Sequence, residues 1–121
     1  MGSKIVYKGW GFEIWIVNKP QYCGKLLHFN KGKKCSFHKH KLKDETFFCH
    51  KGEILVRYGY DEDILKASEK LLRAGDSFYV PPGLIHQMEA IEDTDLYEFS
   101  TEHFDEDSYR IAPGDSQKQN T

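Results

Sequence analysis

The sequence predicts an all-β domain, built as a sandwich or barrel of short strands. Short runs rich in aromatic and β-branched residues recur along the chain, and glycine, asparagine, aspartate and proline separate them at regular intervals. Only one segment has helical spacing. A chain of 121 residues, 39% of them apolar and 14% aromatic, has material for one core and one ordinary domain.

The predicted strands follow one another with turn residues between them. In chain order they are Trp10–Val17, Lys25–Asn30, Thr46–His50, Glu53–Tyr60, Ser77–Val80, Ile85–Ile91 and Leu96–Ser100. In the first strand, alternation at period two places four apolar side chains on one face: Trp10, Phe12, Ile14 and Ile16. Lys51-Gly52 predicts a turn after the third strand, and Pro81-Pro82-Gly83 predicts one after the fifth.

Two segments depart from this pattern. Residues 63–72 carry apolar residues near helical spacing but run into a turn before the next strand, so we expect one helical turn near 62–65 and then a strand. Residues 112–121 are polar and contain no aliphatic side chain larger than alanine. We therefore expect one domain over 1–111 followed by a disordered tail over 112–121.

Composition excludes several classes of partner. The net charge is −2, from 17 basic and 19 acidic side chains, which gives no broad field for nucleic acid or an anionic membrane. No apolar run approaches the roughly 20 residues of a membrane helix, and the first residues lack the apolar stretch of a secretion signal. The three cysteines have no C-x-x-C spacing, so we expect reduced thiols in a cytoplasmic protein.

A run of lysines is the exception to the even charge balance. It comprises Lys31, Lys33, Lys34, Lys39, Lys41 and Lys43. One interpretation is a solvated loop face. The other is a positive rim that attracts an anionic substrate, such as a phosphate or a carboxylate.

The histidines are the residues best suited to chemistry. Six are present, at positions 28, 38, 40, 50, 86 and 103. His38 and His40 are two residues apart, so on a strand both imidazoles project to one face, about 7 Å apart, and can converge on one ion. Taken alone the pair is weak evidence, since H-x-H arises easily by chance in a chain with six histidines.

The residues around this pair form two spaced motifs. The first is G-x5-H-x-H-x4-E-x6-G, from Gly32 to Gly52, and the second is G-x5-P-x-G-x2-H, from Gly75 to His86. These nine positions resemble the two motifs of the cupin superfamily in order and in spacing. The one departure is Ala90, where the second motif usually carries an asparagine that is not a metal ligand.

The resemblance to cupins implies a double-stranded β-helix, the jelly-roll β-barrel, with one divalent metal ion. The ligands it implies are His38, His40, Glu45 and His86. Three imidazoles and a carboxylate leave one or two open positions and suit manganese, iron, cobalt, nickel or zinc. We expect four apolar side chains to line the site: Phe37, Phe47, Phe78 and Met88. The alternative is a buried polar network without metal. The resemblance also implies a homodimer, with the apolar segment Trp10–Val17 as its contact.

A stretch near the C-terminus resembles a narrower group. Residues 96–110 contain E-F-S-T and then an acidic segment ending in S-Y-R, as in small cupins related to D-lyxose ketol-isomerases and mannose-6-phosphate isomerase-like proteins. This resemblance implies isomerisation of a sugar or sugar phosphate between aldose and ketose. Glu98 is then the candidate base, because a glutamate on an apolar strand is costly unless it is paired or working. The alternative for Glu98 is an outward-facing or salt-bridged carboxylate. We expect Asp107 and Arg110 to form an ion pair or close the barrel mouth, and the alternative for Arg110 is a phosphate clamp.

Two other functions use the same ligands. One is an iron-dependent oxygen-activating enzyme of the dioxygenase type, and the other is a metal-stabilised sugar-binding module without turnover. Oxygen consumption identifies the first, and ligand-induced stabilisation without product identifies the second.

Overall fold

The fold was taken from a computed structural model, which describes residues 3–117. These residues form eleven strands: β1 (Lys4–Lys8), β2 (Gly11–Lys19), β3 (Tyr22–Phe29), β4 (Phe37–Lys39), β5 (Glu45–Lys51), β6 (Glu53–Gly59), β7 (Ser68–Arg73), β8 (Ser77–Val80), β9 (Ile85–Ala90), β10 (Thr94–Ser100) and β11 (Tyr109–Ala112). Two short 3₁₀ turns, Ile64–Lys66 and Asp115–Gln117, complete the described chain. None of its helices is long and apolar enough to cross a membrane.

The strands form two antiparallel sheets. One has the order β1-β2-β3-β10-β5-β8 and the other β11-β4-β9-β6-β7, so most neighbours are not consecutive in sequence. This is the jelly-roll arrangement, and the predicted all-β fold class is confirmed. The two sheets bring strands from distant parts of the chain beside one another, which is what assembles a site from scattered residues.

The apolar core lies between the sheets. Inward positions of β3 alternate along the strand, with Cys23, Lys25, Leu27 and Phe29 all buried. The ring of Phe29 stacks on Trp10 at a centroid distance of 4.1 Å. Lys25 is the one charged side chain in this inward row. The described cysteines are all free, as the spacing predicted.

The first predicted strand divides its apolar residues between two environments. Trp10 precedes β2 and is buried in the core, whereas Ile16 is 53% exposed. The register of β2 against β3 shifts between Trp15 and Val17, which is a bulge. Trp15 pairs with inward-facing Lys25. Glu13 and Trp15 lie opposite the inward residues Leu27 and Lys25, so the apolar residues Phe12 and Ile14 lie on the other face of the sheet.

Residues 63–72 follow the expectation of one turn and a strand. The 3₁₀ turn begins after Asp63, whose side chain caps it by accepting a hydrogen bond from the Leu65 N–H, and β7 follows. Strands β1, β4 and β11 lie outside the strands predicted over 10–100. All three are short, and β11 joins the sheet by pairing with β4.

The predicted tail begins too early. Ala112 belongs to β11, and the Asp115 carboxylate accepts a hydrogen bond of 2.7 Å from the Lys34 N–H. A Cβ on Gly114 would lie 2.2 Å from the carbonyl carbon of Cys35, so this segment packs directly on the backbone. The expectation of disorder is therefore wrong for residues 112–117, and residues 118–121 lie outside the described chain.

The turn between β5 and β6 explains the last glycine of the first motif. Gly52 has φ +93°, and a Cβ there would lie 2.2 Å from the carbonyl oxygen of Asp93. Both the backbone conformation and the close approach require glycine at this position. The turn directs β6 back alongside β9, the strand that carries His86.

Candidate metal centre

Three imidazoles converge inside the barrel. His38 on β4 lies directly opposite His86 on β9, and His40 follows β4 immediately. One ligand atom from each ring lies within 4.8 Å of the corresponding atoms of the other two. The convergence expected from the H-x-H spacing is present, and the third histidine comes from the neighbouring strand, as the second motif implied.

Each ring is held by a hydrogen bond on its Nδ1 side. The acceptors are backbone carbonyl oxygens: Ser36 for His38 (2.8 Å), Asp107 for His40 (2.7 Å) and Leu84 for His86 (3.1 Å). A neutral imidazole that donates from Nδ1 has its lone pair on Nε2. All three rings are thus fixed in the tautomer that a metal ion bound at Nε2 requires.

The carboxylate of Glu45 completes the cluster. Its Oε2 atom lies 3.5 Å from Nε2 of His40 and 3.9 Å from Nε2 of His86. Glu45 is 2% exposed, and among the described residues its Oε2 is the one buried side-chain polar atom without a hydrogen-bond partner. An orphaned carboxylate oxygen is costly inside a protein, and a cation between it and the three Nε2 lone pairs would remove that cost.

Burial sets the protonation of these four groups. Desolvation lowers the pKa of His38 and of His40 to about 3 and that of His86 to about 4, so the imidazoles are neutral and can donate lone pairs. Desolvation, with repulsion from Glu98, raises the pKa of Glu45 to about 8. The residues therefore fit a divalent ion, whose charge would favour the ionised carboxylate.

Asp107 anchors the loop that joins the ligands. Its carboxylate accepts hydrogen bonds from the backbone N–H groups of Lys41 (2.8 Å), Leu42 (3.1 Å) and Lys43 (3.1 Å). Its carbonyl oxygen is also the acceptor for His40. Asp107 therefore fixes both His40 and the loop leading to Glu45, whereas the sequence had suggested an ion pair with Arg110, which is not among the ion pairs of the described residues.

A polar cavity of about 230 Å³ borders two of the three histidines. His38 and His40 border it, together with Trp15, Lys25, Lys43, His103, Ser108 and Arg110. The four apolar side chains expected to line the site do not border this cavity. Phe37, Phe47 and Met88 are buried, and the Phe47 ring lies behind the cluster with its centroid 6.3 Å from that of His86.

Glu98 adopts the salt-bridged arrangement that the sequence left as an alternative. It is 4% exposed, and its Oε2 lies 3.1 Å from the Lys43 ammonium and accepts a hydrogen bond from Ser100. Burial alone would raise its pKa, but the charges of Lys43 and Lys25 lower it to about 2. Glu98 does not border the cavity. It therefore lacks both the position and the near-neutral pKa expected of a base.

Lys43 is not on a solvated loop face. Its ammonium is buried between Glu98 and Nδ1 of His103, at 3.1 and 2.9 Å. On its other side, Nε2 of His103 donates to exposed Asp105 at 2.9 Å. The sequence did not identify His103 as a site residue, because no spacing rule connects it to the motifs. Its position within the C-terminal stretch was the only available signal.

The two remaining histidines lie away from the cluster. His28 is hydrogen-bonded to Asp95 at 2.7 Å and stacks on Phe12, as a satisfied histidine. His50 is exposed at the end of β5 and contacts the ring of Tyr97. Both agree with the non-ligand interpretation.

Comparison with known protein families matches residues 25–102 to the cupin domain. The chain belongs to the cupin family. No curated protein sequence matches this cupin. Its fold resembles CapF, a capsular polysaccharide assembling protein of Staphylococcus aureus, with a TM-score of 0.81, 18% identity, and coverage of 93% of this chain and 32% of CapF. The cupin thus spans about a third of that protein.

Two further solved structures share the fold. KdgF from a Halomonas species has a TM-score of 0.68 and 19% identity over 78% of this chain and 81% of its own. Oxalate decarboxylase from Bacillus subtilis has a TM-score of 0.78 and 15% identity over 89% of this chain and 30% of its own. At these sequence identities the structural similarity establishes the barrel fold only, and the chemistry has to be inferred from the residues of the site.

The anchoring role of Asp107 predicts a loss of stability when its carboxylate is removed. Asp107→Ala leaves three backbone N–H groups without their acceptor, so the free energy of unfolding should fall by about 2–3 kcal/mol in metal-free protein. Chemical denaturation measures this, with Glu106→Ala as the exposed neighbouring control, expected within about 0.5 kcal/mol of the parent. Equal stability of the two variants would contradict the anchoring role.

Proposed function

We propose that this cupin is a metal-dependent isomerase that interconverts the aldose and ketose forms of a small sugar or sugar phosphate. The observation that carries the proposal is the set of three Nε2 lone pairs beside one orphaned carboxylate oxygen, in a cluster that borders a polar cavity through His38 and His40. The four residues that would hold the ion are His38, His40, Glu45 and His86. A bound divalent ion supplies a Lewis acid that polarises carbonyl and hydroxyl oxygens.

The cavity supports a polyhydroxylated substrate. Ser36, Ser108 and Gln117 border it and offer hydroxyl and amide groups, and lysine and arginine add charged donors. Its volume of about 230 Å³ lies below the 300–1,000 Å³ typical of drug-sized sites, which favours a single small molecule. CapF is a capsular polysaccharide assembling protein, which adds a carbohydrate context among proteins of this fold.

The proton transfer is assigned to His103 in place of Glu98. Isomerisation moves one proton between adjacent carbons and one between oxygens, and it needs no oxidant or reductant. Nδ1 of His103 accepts from Lys43, and Nε2 donates to Asp105, which can stabilise the imidazolium. A substrate oxygen that takes over the Lys43 hydrogen bond frees Nδ1 to accept the carbon-bound proton. Burial lowers the pKa of His103, so its imidazole is neutral and able to act as a base at neutral pH.

Removing a ligand should remove the metal. Purified without chelator, the protein should carry about one equivalent of a divalent transition metal per chain, measured by plasma mass spectrometry. His38→Ala and His86→Ala should each reduce the content to a small fraction of that value. His50→Ala is the matched control, since His50 is an exposed strand histidine. Unchanged metal content in both ligand variants would refute the site.

Activity should depend on His103 without affecting metal content. In anaerobic assays with manganese, cobalt or zinc, His103→Gln should keep the metal and lose at least about 100-fold in kcat/KM, the usual range for a general base. Glu98→Gln is expected to lose stability, because it leaves the Lys43 ammonium buried without its carboxylate. Full activity in His103→Gln would remove it as the base. Oxygen consumption with ferrous iron would point to the oxygen-activating alternative, and stabilisation by a sugar without product would point to a binding module.

A homodimer is the proposed assembly. Ile5, Ile14, Leu26, Tyr97 and Phe48 lie in register across β1, β2, β3, β10 and β5. Directly opposed residues share a face, so these five form an apolar row on the outer surface of the six-stranded sheet. Ile5 is 51% exposed. Covering such a row with a second copy would remove a contiguous apolar patch from water.

A charge within this row should dissociate the dimer. We expect a dimer in sedimentation velocity at micromolar concentration and a monomer for Ile5→Asp, because burying an unpaired carboxylate in the contact is costly. Leu65→Asp provides the control, since Leu65 is 91% exposed on the 3₁₀ turn. A monomeric parent protein would contradict this assembly.

A further inference from the structure

Two lysines are buried beside the cavity, and their ammonium groups differ in one respect. Lys43 is 3% exposed and is satisfied by Glu98 and His103. Lys25 is 2% exposed, yet its ammonium makes no hydrogen bond to any described residue. The nearest carboxylate oxygen, on Glu13, is 3.8 Å away. The ammonium also lies 4.0 Å from the centroid of the Trp15 ring, a contact that satisfies none of its N–H donors directionally.

The position of Lys25 on the strand is unusual for a charged side chain. It occupies an inward position of β3 between Cys23 and Leu27, where an apolar side chain would pack without penalty. The closest carboxylate is already engaged, because Glu13 accepts a hydrogen bond of 2.8 Å from the Trp15 indole. Desolvation lowers the pKa of Lys25, although Glu98 and Glu13 act in the opposite direction. The Nζ atom of Lys25 is not among the buried atoms of residues 3–117 that lack a partner, so it keeps contact with open space, where its free N–H donors can be satisfied by water or by a ligand.

The unfilled donors face the cavity. Lys25 borders the same space as His38 and His40. Four cationic side chains border this cavity against two carboxylates, whereas the whole chain carries a net charge of −2. Two of those cations, Lys8 and Arg110, are exposed and are absent from the ion pairs of residues 3–117. The mouth of the cavity is therefore positive, and the Lys25 ammonium beside it has N–H donors free for a ligand.

We propose that Lys25 binds the anionic group, a carboxylate or a phosphate, of a small ligand that occupies this cavity. Arg110 and Lys8 at the mouth would attract that ligand from solution. The inference deepens the proposed function and rests on it only in placing the other end of the ligand at the histidine cluster. It narrows the substrate from any small sugar to an acidic one, such as a sugar acid or a sugar phosphate.

The test uses the Trp15 indole, which lies beside the Lys25 ammonium, as a reporter. Metal-free protein is titrated with inorganic phosphate, gluconate and glucose, and the ¹⁵N-indole resonance is followed by NMR. Phosphate, gluconate or both should produce a saturable shift, and glucose should not. Lys25→Met should weaken anion binding at least tenfold, Lys25→Arg should retain a substantial share, and Lys33→Met should match the parent. A response to phosphate alone would identify the ligand as a phosphate ester, and a response to gluconate alone as a sugar acid.

Equal affinity in Lys25→Met, or a glucose response as strong as that to the anions, would overturn the inference. A measurement on the parent protein does not depend on whether a variant folds. The side-chain Nζ resonance of Lys25 should shift when the anion is added, and a resonance that does not move at saturating anion would also overturn the inference. Metal content is measured separately. Metal binding without an anion response removes Lys25 as the anchor and leaves the metal site intact. An anion response at Lys25 in protein that binds no metal refutes the proposed function instead.

Discussion

The structure depends on one constraint: a carboxylate oxygen is buried beside two neutral imidazoles of a three-histidine cluster, without a hydrogen-bond donor to satisfy it. Glu45 lies on β5 in one sheet, and His38 and His86 lie on β4 and β9 in the other. The cluster therefore joins the two sheets through polar side chains, at a point where apolar side chains would be buried at a lower cost in free energy. The neighbouring groups hold the four side chains of the cluster in place. Backbone carbonyls fix the tautomer of each ring, and Asp107 holds the loop between His40 and Glu45. Such a group of residues is stable in one arrangement when a cation occupies its centre.

Around this cluster, the two buried lysines differ in how closely their ammonium groups are paired: Lys43 has partners at 3.1 and 2.9 Å, and Lys25 has one at 3.8 Å. Lys43 and Glu98 compensate each other, and the chain of contacts continues through His103 to exposed Asp105. This network stabilises the wall of the cavity and connects it to solvent. Lys25 stands apart, since its ammonium borders the same cavity and has only a long ion pair, 3.8 Å from a Glu13 oxygen.

The sequence predicted the parts of the site that follow from fixed spacing. The resemblance to the cupin motifs implied His38, His40, Glu45 and His86 as ligands, and the structure brings ligand atoms of the three histidines within 4.8 Å of one another, with a Glu45 oxygen 3.5 Å from Nε2 of His40. The contacts of Lys43 were not predicted, because its partners Glu98 and His103 lie 55 and 60 residues away in the sequence. They come together only when β10 and the segment after it pack on the loop that carries Lys43. Glu98 was noticed for a sound reason, the cost of a buried carboxylate, but the sequence could not show that a lysine from a distant loop neutralises it. Lys25 carried the same signal, a charge in an alternating apolar strand, but the sequence could not show that its ammonium borders the cavity with only a long ion pair to Glu13.

X-ray absorption spectroscopy on protein loaded with one equivalent of Zn²⁺ tests the central claim most directly, because it reports the ligand atoms around the ion. A centre built from three imidazoles and a carboxylate predicts nitrogen and oxygen scatterers at about 2.0–2.2 Å, with the outer-shell scattering of histidine rings. A sulfur shell near about 2.3 Å would contradict it and implicate a cysteine. Oxygen scatterers without imidazole contributions would place the ion on surface carboxylates instead, leaving the histidine cluster as a buried polar network.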